Sequence, residues 1–405
     1  MKEVDVFIIG AGPAGSIAGA KLVEDGFSVK IVDKLKLPRF MIGESLLPRC
    51  NELLEKANLL DVVKEAGFQF KGGVAFRNEE GDFAALNFSQ NLGQKWGSSF
   101  QVKREVFDKL LIDEAQRKGC DVEYEVEVIA YDENENIITV KNLDGSEELY
   151  KAKKVLDASG YGRVLPRLLD LEADSHLALR RATFARVDKD NRPEGEQNGY
   201  IFVDVVGDNE AWIWNIPFSD GVTSVGVVCT EKYFKKFNMS DEEFWEHIIY
   251  NNPSASKRYA ESKRIVEVNS LSGYSAAVTK LYDKNFILTG NASEFLDPVF
   301  SSGVTLALES GSKAAELTAR ELKGEVVDYK VEYEDYMMLG IDVFRDYVNG
   351  WYDGTLQTIL FSQKKNPEIT KKIVSILSGY VWDKDNSFVT SSKYALEKTY
   401  EMLKS

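Results

Sequence analysis

The segment WIWNIPF, residues 212–218, places two of the six tryptophans of the chain two positions apart. Because side chains on a strand alternate between its two faces, Trp212, Trp214 and Ile216 share one face of the strand that this segment predicts. That face is large, flat and apolar. It packs on a core, as aromatic side chains usually do, unless the rest of the chain binds a ligand beside it.

A glycine-rich turn near the N-terminus predicts such a ligand. The turn GAGPAG at residues 10–15 follows a short apolar run typical of buried parallel strands, and it precedes a helix of small residues and a second strand. In a βαβ unit of this form, Gly10 allows the tight turn, Gly12 lets the backbone approach a pyrophosphate, and Gly15 permits close helix packing. The helix N-terminus faces the phosphates, and Asp33 at the end of the second strand accepts hydrogen bonds from a ribose. The residues that we predict to bind a dinucleotide are Gly10, Gly12, Pro13, Ala14, Gly15 and Asp33 of this unit, and Lys34 and Arg39, which follow it.

The composition excludes several other kinds of chemistry. Asp and Glu (65) outnumber Lys and Arg (50), the net charge is −15 and the basic residues form no block, so we expect no nucleic-acid partner and no anionic membrane. The chain begins with a strand instead of an apolar leader, which favours a cytoplasmic protein. Three scattered cysteines and two distant histidines, His176 and His247, provide no metal site and no Ser-His-Asp triad. We therefore expect an organic cofactor to supply the chemistry.

Two later segments indicate which dinucleotide is bound. KKVLDASG at residues 153–160 is a strand that runs into a small-residue turn, and FILTGNASEFLDPVFSSGVTLALESG at residues 286–311 is a strand, a Gly-Asn turn, a loop and a helix. With the N-terminal turn, this pattern resembles the FAD-dependent, p-hydroxybenzoate-hydroxylase-like flavoprotein monooxygenases. The resemblance implies an α/β fold with a Rossmann-like (GR2-type) FAD-binding domain. It also implies FAD contacts from Arg104, Asp157, Gly160, Gly290, Asn291, Pro298, Gly303 and Val304.

Four segments narrow the resemblance to the flavin-dependent halogenases. Their Gly-Glu-Ser loop is similar to LPRFMIGESLLPR (37–49), and the segment that carries their essential lysine is similar to AGFQFKGGVAF (66–76). Their WxWxIP signature is similar to WIWNIPF, and their halide loop is similar to DPVFSSGV (297–304). In that family, the paired tryptophans separate the flavin from the substrate. The resemblance assigns catalytic roles to Lys71, Trp212, Trp214 and Ser301, and it assigns halide binding to the backbone N–H groups of Ser302 and Gly303.

The reaction that this resemblance implies uses reduced FAD, O2 and a halide. The hypohalous acid that forms travels to a lysine beside the substrate, for which Lys71 is the candidate. A lysine in an apolar tunnel has a lowered pKa and can act as a nucleophile. The alternative interpretation, which does not use the resemblance, is that Lys71 is an ordinary exposed lysine at the start of a strand. Because the chain has no second GxGxxG unit for NAD(P)H, a separate flavin reductase is the expected partner.

Two departures from the family pattern bear on the function. Tryptophan halogenases carry a glutamate where this chain has Phe300, so we expect an electron-rich small molecule of the phenol or pyrrole type, free or carrier-bound, as the aromatic substrate. At the second glycine turn, where the superfamily usually has Gly-Asp, Asn291 keeps an acceptor oxygen but lacks the charge. Two alternatives stay open: an FAD-dependent reductase of the geranylgeranyl reductase type, which carries a similar tryptophan signature, and an FAD-binding protein without halogenating activity.

The remaining segments position these residues. Alternating apolar and polar residues predict an antiparallel sheet of about five to seven strands that carries the two tryptophans. We place the FAD-binding domain at residues 1–70, 100–172 and 275–325, and the inserted β-sheet substrate domain at residues 71–99 and 173–274. Residues 326–405 form a C-terminal helical region, in which aromatic residues recur on one helix face as they do in cores.

Overall fold

The computed structural model describes residues 1–175, 177–207, 209–364 and 366–404, and His176 lies outside them. Two large sheets organise this part of the chain. The strands are β1 (Lys2–Ile9), β2 (Val29–Asp33), β3 (Gln69–Lys71), β4 (Gly73–Arg77), β5 (Phe83–Asn87), β6 (Ser99–Gln101), β7 (Asp121–Tyr124), β8 (Val126–Asp132), β9 (Ile137–Asn142), β10 (Glu147–Asp157), β11 (Glu172–Ala173), β12 (Arg180–Val187), β13 (Ile201–Val206), β14 (Ala211–Pro217), β15 (Thr223–Thr230), β16 (Asn269–Ser272), β17 (Ala277–Val278) and β18 (Phe286–Leu288).

The first sheet contains the N-terminal βαβ unit. Its order is β7-β2-β1-β10-β9-β8, and β18 pairs in parallel with β10. β1 is continuously apolar near its end because both of its faces are covered. Val6 and Ile8 face the core that contains the helices, whereas Phe7 and Ile9 pack with residues of β8 and β9 on the other face.

The second sheet carries the two tryptophans. Its order is β16-β12-β15-β14-β13-β4-β5, so the predicted number of strands is confirmed. The expectation of a purely antiparallel sheet is wrong at one pair, because β4 runs parallel to β13. β4 comes from an earlier part of the chain than the antiparallel strands β12 to β15, and it enters the sheet beside β13 in the same direction.

Helices cover both sheets and form the C-terminal part of the chain. They are α1 (Pro13–Glu24), α2 (Pro48–Lys56), α3 (Leu60–Glu65), α4 (Arg104–Lys118), α5 (Val164–Leu168), α6 (Glu231–Lys235), α7 (Asp241–Asn251), α8 (Pro253–Arg258), α9 (Ser302–Leu322), α10 (Tyr336–Tyr352), α11 (Thr355–Phe361), α12 (Pro367–Leu377), α13 (Ser387–Thr390) and α14 (Ser392–Lys404). A single π-helical turn, Lys330–Asp335, leads into α10. In this region Tyr333, Tyr347 and Trp351 are buried, as the aromatic pattern predicts.

One large hydrophobic core joins these parts. It contains Ile8 of the first sheet, Trp214 of the second sheet and Trp351 of α10. The α/β fold class, with a Rossmann-type sheet, a second sheet and a C-terminal helical region, is confirmed. The residue boundaries of the three domains stay a prediction, since a shared core marks no sharp border between them.

Candidate active site

The glycine turn after β1 combines two tightly packed positions with one open position. Gly10 has a φ of +105°, and a Cβ there would lie 2.4 Å from the carbonyl oxygen of Ala158. A Cβ at Gly15 would lie 2.0 Å from the carbonyl oxygen of Gly10, so α1 approaches the turn closely. A Cβ at Gly12 would meet no protein atom within 4 Å, and Gly12 lines a cavity. The turn therefore leaves a cradle for a ligand at the N-terminus of α1, where phosphate groups bind favourably.

Asp33 lies at the edge of this cradle. Its carboxylate accepts hydrogen bonds from the backbone N–H of Ala11 at 2.9 Å and from Arg39 Nη1 at 2.6 Å. Arg39 Nε is buried and has no hydrogen-bond partner in the described part of the chain, which leaves one donor for a ligand. Lys34 also lines the cavity, and its amine pairs with Glu127. This arrangement suits a ribose and a phosphate better than an apolar ligand.

The cavity that begins at this turn is large and brings most of the predicted site residues together. It has a volume of about 570 Å³, within the range of small-molecule and cofactor sites. The predicted residues that line it are Gly10, Gly12, Pro13, Ala14, Asp33, Lys34, Arg39, Arg104, Gly160, Trp212, Trp214, Gly290, Asn291, Pro298, Ser301, Gly303 and Val304. Residues from the N-terminal turn, the second sheet and the start of α9 therefore share one cavity.

Four predicted site residues do not line the cavity. Gly15 packs under the turn, and Ser302 is buried at the start of α9. Asp157 is buried at the end of β10, where its carboxylate accepts hydrogen bonds from the backbone N–H groups of Ser159 and Leu165. Burial raises the pKa of Asp157. Asp157 therefore shapes the turn that includes Gly160. The fourth residue, Lys71, lies in another part of the core.

Trp212 and Trp214 form one wall of the cavity. Their ring centres are 6.1 Å apart, and both side chains are buried on the same face of β14, as the alternation predicts. Trp214 Nε1 donates to Ser224 Oγ at 3.2 Å, and Trp212 Nε1 donates to Tyr352 Oη at 2.8 Å. Each indole is thus fixed by its own hydrogen bond, although the sequence alone indicated only an apolar face.

The segment before α9 forms a tight loop beside this wall. Asp297 is buried, and its carboxylate accepts a hydrogen bond from the backbone N–H of Val299 at 3.0 Å. Ser301 has a φ of +56°, and α9 starts at the next residue. Gly303 lines the cavity within the first turn of α9, whose N–H groups have no partners inside the helix. These donors and the positive end of the helix dipole favour an anion.

Lys71 is not a surface lysine. Its side chain is only 1 % exposed, its Nζ donates to the carbonyl oxygen of Leu46 at 2.8 Å, and the same atom lies 5.2 Å from the ring centre of Phe88. Burial lowers the pKa of Lys71 to about 7. No carboxylate within the described residues forms a salt bridge with this amine, so a large fraction of it is uncharged near neutral pH. The alternative of an exposed lysine is therefore wrong.

Arg104 supports the loop that carries the Gly-Glu-Ser segment. It pairs with Asp108 through two hydrogen bonds of 2.7 and 2.8 Å, and its Nη1 donates to the carbonyl oxygen of Ile42 at 3.0 Å. A Cβ at Gly43 would lie 2.9 Å from the same nitrogen. The Arg104–Asp108 pair is thus more than a surface ion pair on α4, since both side chains are buried.

Several residues of the cavity were missed by the sequence reasoning. Tyr161, Tyr274 and Phe295 line it from three separate segments, and the resemblance assigns no role to any of them. The hydroxyl of Tyr274 is buried without a hydrogen-bond partner in the described part of the chain. Glu44 also lines the cavity and pairs with Arg186. Glu44 lies in the Gly-Glu-Ser loop and Phe295 in the segment at residues 286–311, so the sequence carried a signal for both residues.

The residues that the structure describes contain neither a metal site nor a membrane-spanning helix. No group of His, Cys, Asp and Glu side chains there could hold a metal ion. No helix there is long and apolar enough to cross a membrane.

Known proteins resemble this chain over nearly its whole length. The sequence profile of the family described as tryptophan halogenase matches residues 5–98 and 83–396. A 1H-pyrrole-2-carbonyl-[peptidyl-carrier protein] chlorinase of Pseudomonas fluorescens is 27% identical, and the alignment covers 94% of this chain and 90% of that protein. A tryptophan 2-halogenase of Chondromyces crocatus is 30% identical, with 79% of this chain and 62% of that protein covered.

Solved structures show the same fold. A flavoprotein/dehydrogenase from Cytophaga hutchinsonii has a TM-score of 0.96 and 43% identity, and the alignment covers 100% of this chain and 99% of that one. The flavin-dependent brominase Bmp2 has a TM-score of 0.87 and 25% identity, with 99% of this chain and 100% of that one covered.

Proposed function

We propose that this chain, which belongs to the tryptophan halogenase family, halogenates an electron-rich pyrrole or phenol with reduced FAD, O2 and a halide. The observation that carries the proposal is the shared cavity of the glycine turn, the tryptophan wall and the start of α9. A nicotinamide dehydrogenase would not need the last two of these features. The family is flavin-dependent, and the residues of the cavity fit FAD.

The fit to FAD is supported at both ends of the cavity. The open side of Gly12 and the N-terminus of α1 suit the pyrophosphate, and Asp33 with the free Nε of Arg39 suits the ribose and phosphate. Gly290 and Asn291 would hold the opposite part of the cofactor, beside Gly303 and Val304. When bound and reduced, FAD supplies the activation of O2 that oxidises a halide.

The chain itself would bind the halide and keep the oxidant from the organic substrate. Backbone N–H groups at Ser302 and Gly303 provide donors at the positive end of α9, and Ser301 lines the cavity next to them. Trp212 and Trp214 exclude water and the substrate from that end of the cavity. Lys71 lies outside the cavity lining, and burial lowers its pKa to about 7. As a neutral amine it would accept the halogen from hypohalous acid that leaves the cavity, with release of water.

The acceptor that we propose is a pyrrole attached to a carrier protein. Phe300 is buried against Tyr347 and Trp351 at ring-centre distances of 6.3 and 6.0 Å, so no carboxylate is available at that position to assist a less reactive arene. Two relatives that align with more than nine tenths of this chain are named as a chlorinase and a brominase of 1H-pyrrole-2-carbonyl-[peptidyl-carrier protein]. A separate flavin reductase would supply reduced flavin.

The decisive experiment is turnover under defined reductant, halide and acceptor. The protein, a flavin reductase, NADH, O2 and bromide or chloride are mixed with pyrrole-2-carbonyl carrier protein, free pyrrole-2-carboxylate or a phenol, and products are read by mass spectrometry. Halogenated carrier-bound pyrrole is the expected result. If only the free phenol is halogenated, the substrate is a phenol and not the carrier-bound pyrrole that we propose. Anaerobic reduction of an isoprenoid alkene without halogenation would establish the reductase alternative, and FAD binding without either reaction would establish a binding protein.

A further inference from the structure

Tyr352, the last residue of α10, connects the tryptophan wall to the loop before α9. Its hydroxyl accepts a hydrogen bond from Trp212 Nε1 at 2.8 Å and donates one to Asp297 Oδ2 at 3.0 Å. Asp297 begins the loop that ends at Ser301. The C-terminal helical region therefore contacts both features that we assign to halide oxidation, although none of its described residues lines the cavity.

The chemistry of the three groups fixes the direction of both hydrogen bonds. An indole nitrogen can only donate, so the phenol oxygen must accept from Trp212 and use its own proton toward Asp297. Burial and the neighbouring Asp297 carboxylate raise the pKa of Tyr352 well above its usual value, so the hydroxyl keeps this proton. Loss of this one oxygen would leave the indole N–H of Trp212 without a partner and Asp297 with one donor fewer.

Arg180 holds the ring of Tyr352 in place. Its guanidinium carbon lies 3.4 Å from the centre of the phenol ring, and the side chain is buried. Within the described residues, Arg180 forms no salt bridge, and its Nε has no hydrogen-bond partner. Arg180 Nη1 donates to the carbonyl oxygen of Ala178 at 3.3 Å, so the guanidinium is anchored with its face against the ring of Tyr352.

We propose that Tyr352 is a positioning residue that makes the tryptophan wall and the halide loop, residues 297–304, move as one unit. This proposal rests on the proposed function and extends it to a residue outside the cavity. A wall that moved independently of the halide loop would let the oxidised halide escape before transfer. Tyr352 thus affects halide retention and the efficiency of transfer, while the binding of FAD depends on other residues.

The test compares Tyr352→Phe with Tyr347→Phe. Both variants lose one hydroxyl from α10, but the hydroxyl of Tyr347 has no hydrogen-bond partner within the described residues, so Tyr347→Phe is a matched control. We expect Tyr352→Phe to raise the bromide dissociation constant, measured from the absorption of oxidised FAD, roughly fivefold. Amide hydrogen exchange of residues 296–304 in the apoprotein should accelerate by a similar factor. The peroxide released per halogenated product should rise, while FAD affinity stays unchanged.

Tyr347→Phe should leave all of these quantities near the wild-type values. Trp212→Phe removes the indole donor, so adding Tyr352→Phe to it should change the exchange rate of residues 296–304 less than Tyr352→Phe does alone. Equal exchange rates and bromide affinities in Tyr352→Phe and Tyr347→Phe would overturn the proposal. A wild-type protein that halogenates no acceptor would overturn the proposed function instead, because the exchange and bromide measurements need no turnover.

Discussion

Trp214 lies over Gly226 of the neighbouring strand, which has no side chain to displace the indole. The two residues face each other across β14 and β15, and a Cβ at Gly226 would lie 2.2 Å from Cζ2 of Trp214. Ser224, two residues earlier on β15, accepts the hydrogen bond from the indole nitrogen. β15 therefore fixes the orientation of the Trp214 indole through Ser224 and leaves space for it at Gly226.

Gly226→Ala should displace Trp214 from the wall. The added methyl group would overlap the indole, and overpacking in a core costs about 1 to 3 kcal/mol. We expect the free energy of unfolding to fall by that amount and the yield of halogenated product per reduced flavin to fall with it. Gly350→Ala adds the same group to α10, where the nearest atom lies 3.6 Å away, and serves as the control. If Gly226→Ala and Gly350→Ala have the same free energy of unfolding and the same product yield, Trp214 tolerates displacement.

Gly12→Ala and Gly15→Ala should separate cofactor binding from folding. A methyl group at Gly12 meets no protein atom, so the apoprotein should keep its stability within about 0.5 kcal/mol, while the FAD dissociation constant rises at least about tenfold. A methyl group at Gly15 overlaps the carbonyl oxygen of Gly10 and should destabilise the apoprotein itself. Thermal unfolding without FAD and a fluorescence titration with FAD measure the two effects. If Gly12→Ala binds FAD with unchanged affinity, the cofactor does not bind against this turn.

Asn291→Asp should strengthen FAD binding. Asn291 lines the cavity at the second glycine turn, where the superfamily usually has an aspartate, and charge-assisted hydrogen bonds are roughly twice as strong as neutral ones. We expect the FAD dissociation constant to decrease about threefold to tenfold. Asn291→Ala is the control, and it should weaken binding. If Asn291→Asp binds FAD no better than the wild type, the side chain of Asn291 shapes the turn and does not contact FAD.

The sequence predicted the local units of this molecule well because their signals are short-range. The turn at Gly10–Gly15 and the alternation around Trp212 depend on residues that are neighbours in the chain, and both occur as predicted. The capping box of Ser240 and Glu243 at the start of α7 likewise depends only on residues that are close in the chain.

Contacts between distant segments could not be predicted in the same way. Nothing near Trp212 in sequence indicates that Tyr352, 140 residues later, would bond its indole nitrogen. The parallel pairing of β4 with β13 likewise depends on which sheet edge is free when the chain returns, and a periodic pattern carries no such information. Asp157 is the converse case, because family resemblance placed it at the cofactor while its carboxylate bonds backbone N–H groups of its own turn.

Lys71 should make the stability of the protein depend on pH. Its pKa is lowered by burial from 10.5 in the unfolded chain to about 7 in the folded one, so only the unfolded chain binds this proton between those values. The free energy of unfolding should therefore decrease as the pH falls from 10.5 towards 7, by at most about 1.4 kcal/mol per unit from this group, and level off below 7. Lys71→Met should remove this part of the slope. Parallel curves for wild type and Lys71→Met in urea titrations would contradict the lowered pKa.

Lys71→Ala should abolish halogen transfer without affecting the flavin chemistry. Lys71 lies outside the lining of the FAD cavity, so FAD content and NADH-dependent oxygen consumption should stay near wild type while halogenated product disappears. Lys71→Arg should not restore transfer, because a guanidinium stays protonated and offers no neutral amine. In the wild type, product formation at constant oxygen consumption should rise with pH through about 7, as the amine loses its proton. Wild-type halogenation by Lys71→Ala would leave the buried amine with a structural role only, through its hydrogen bond to Leu46.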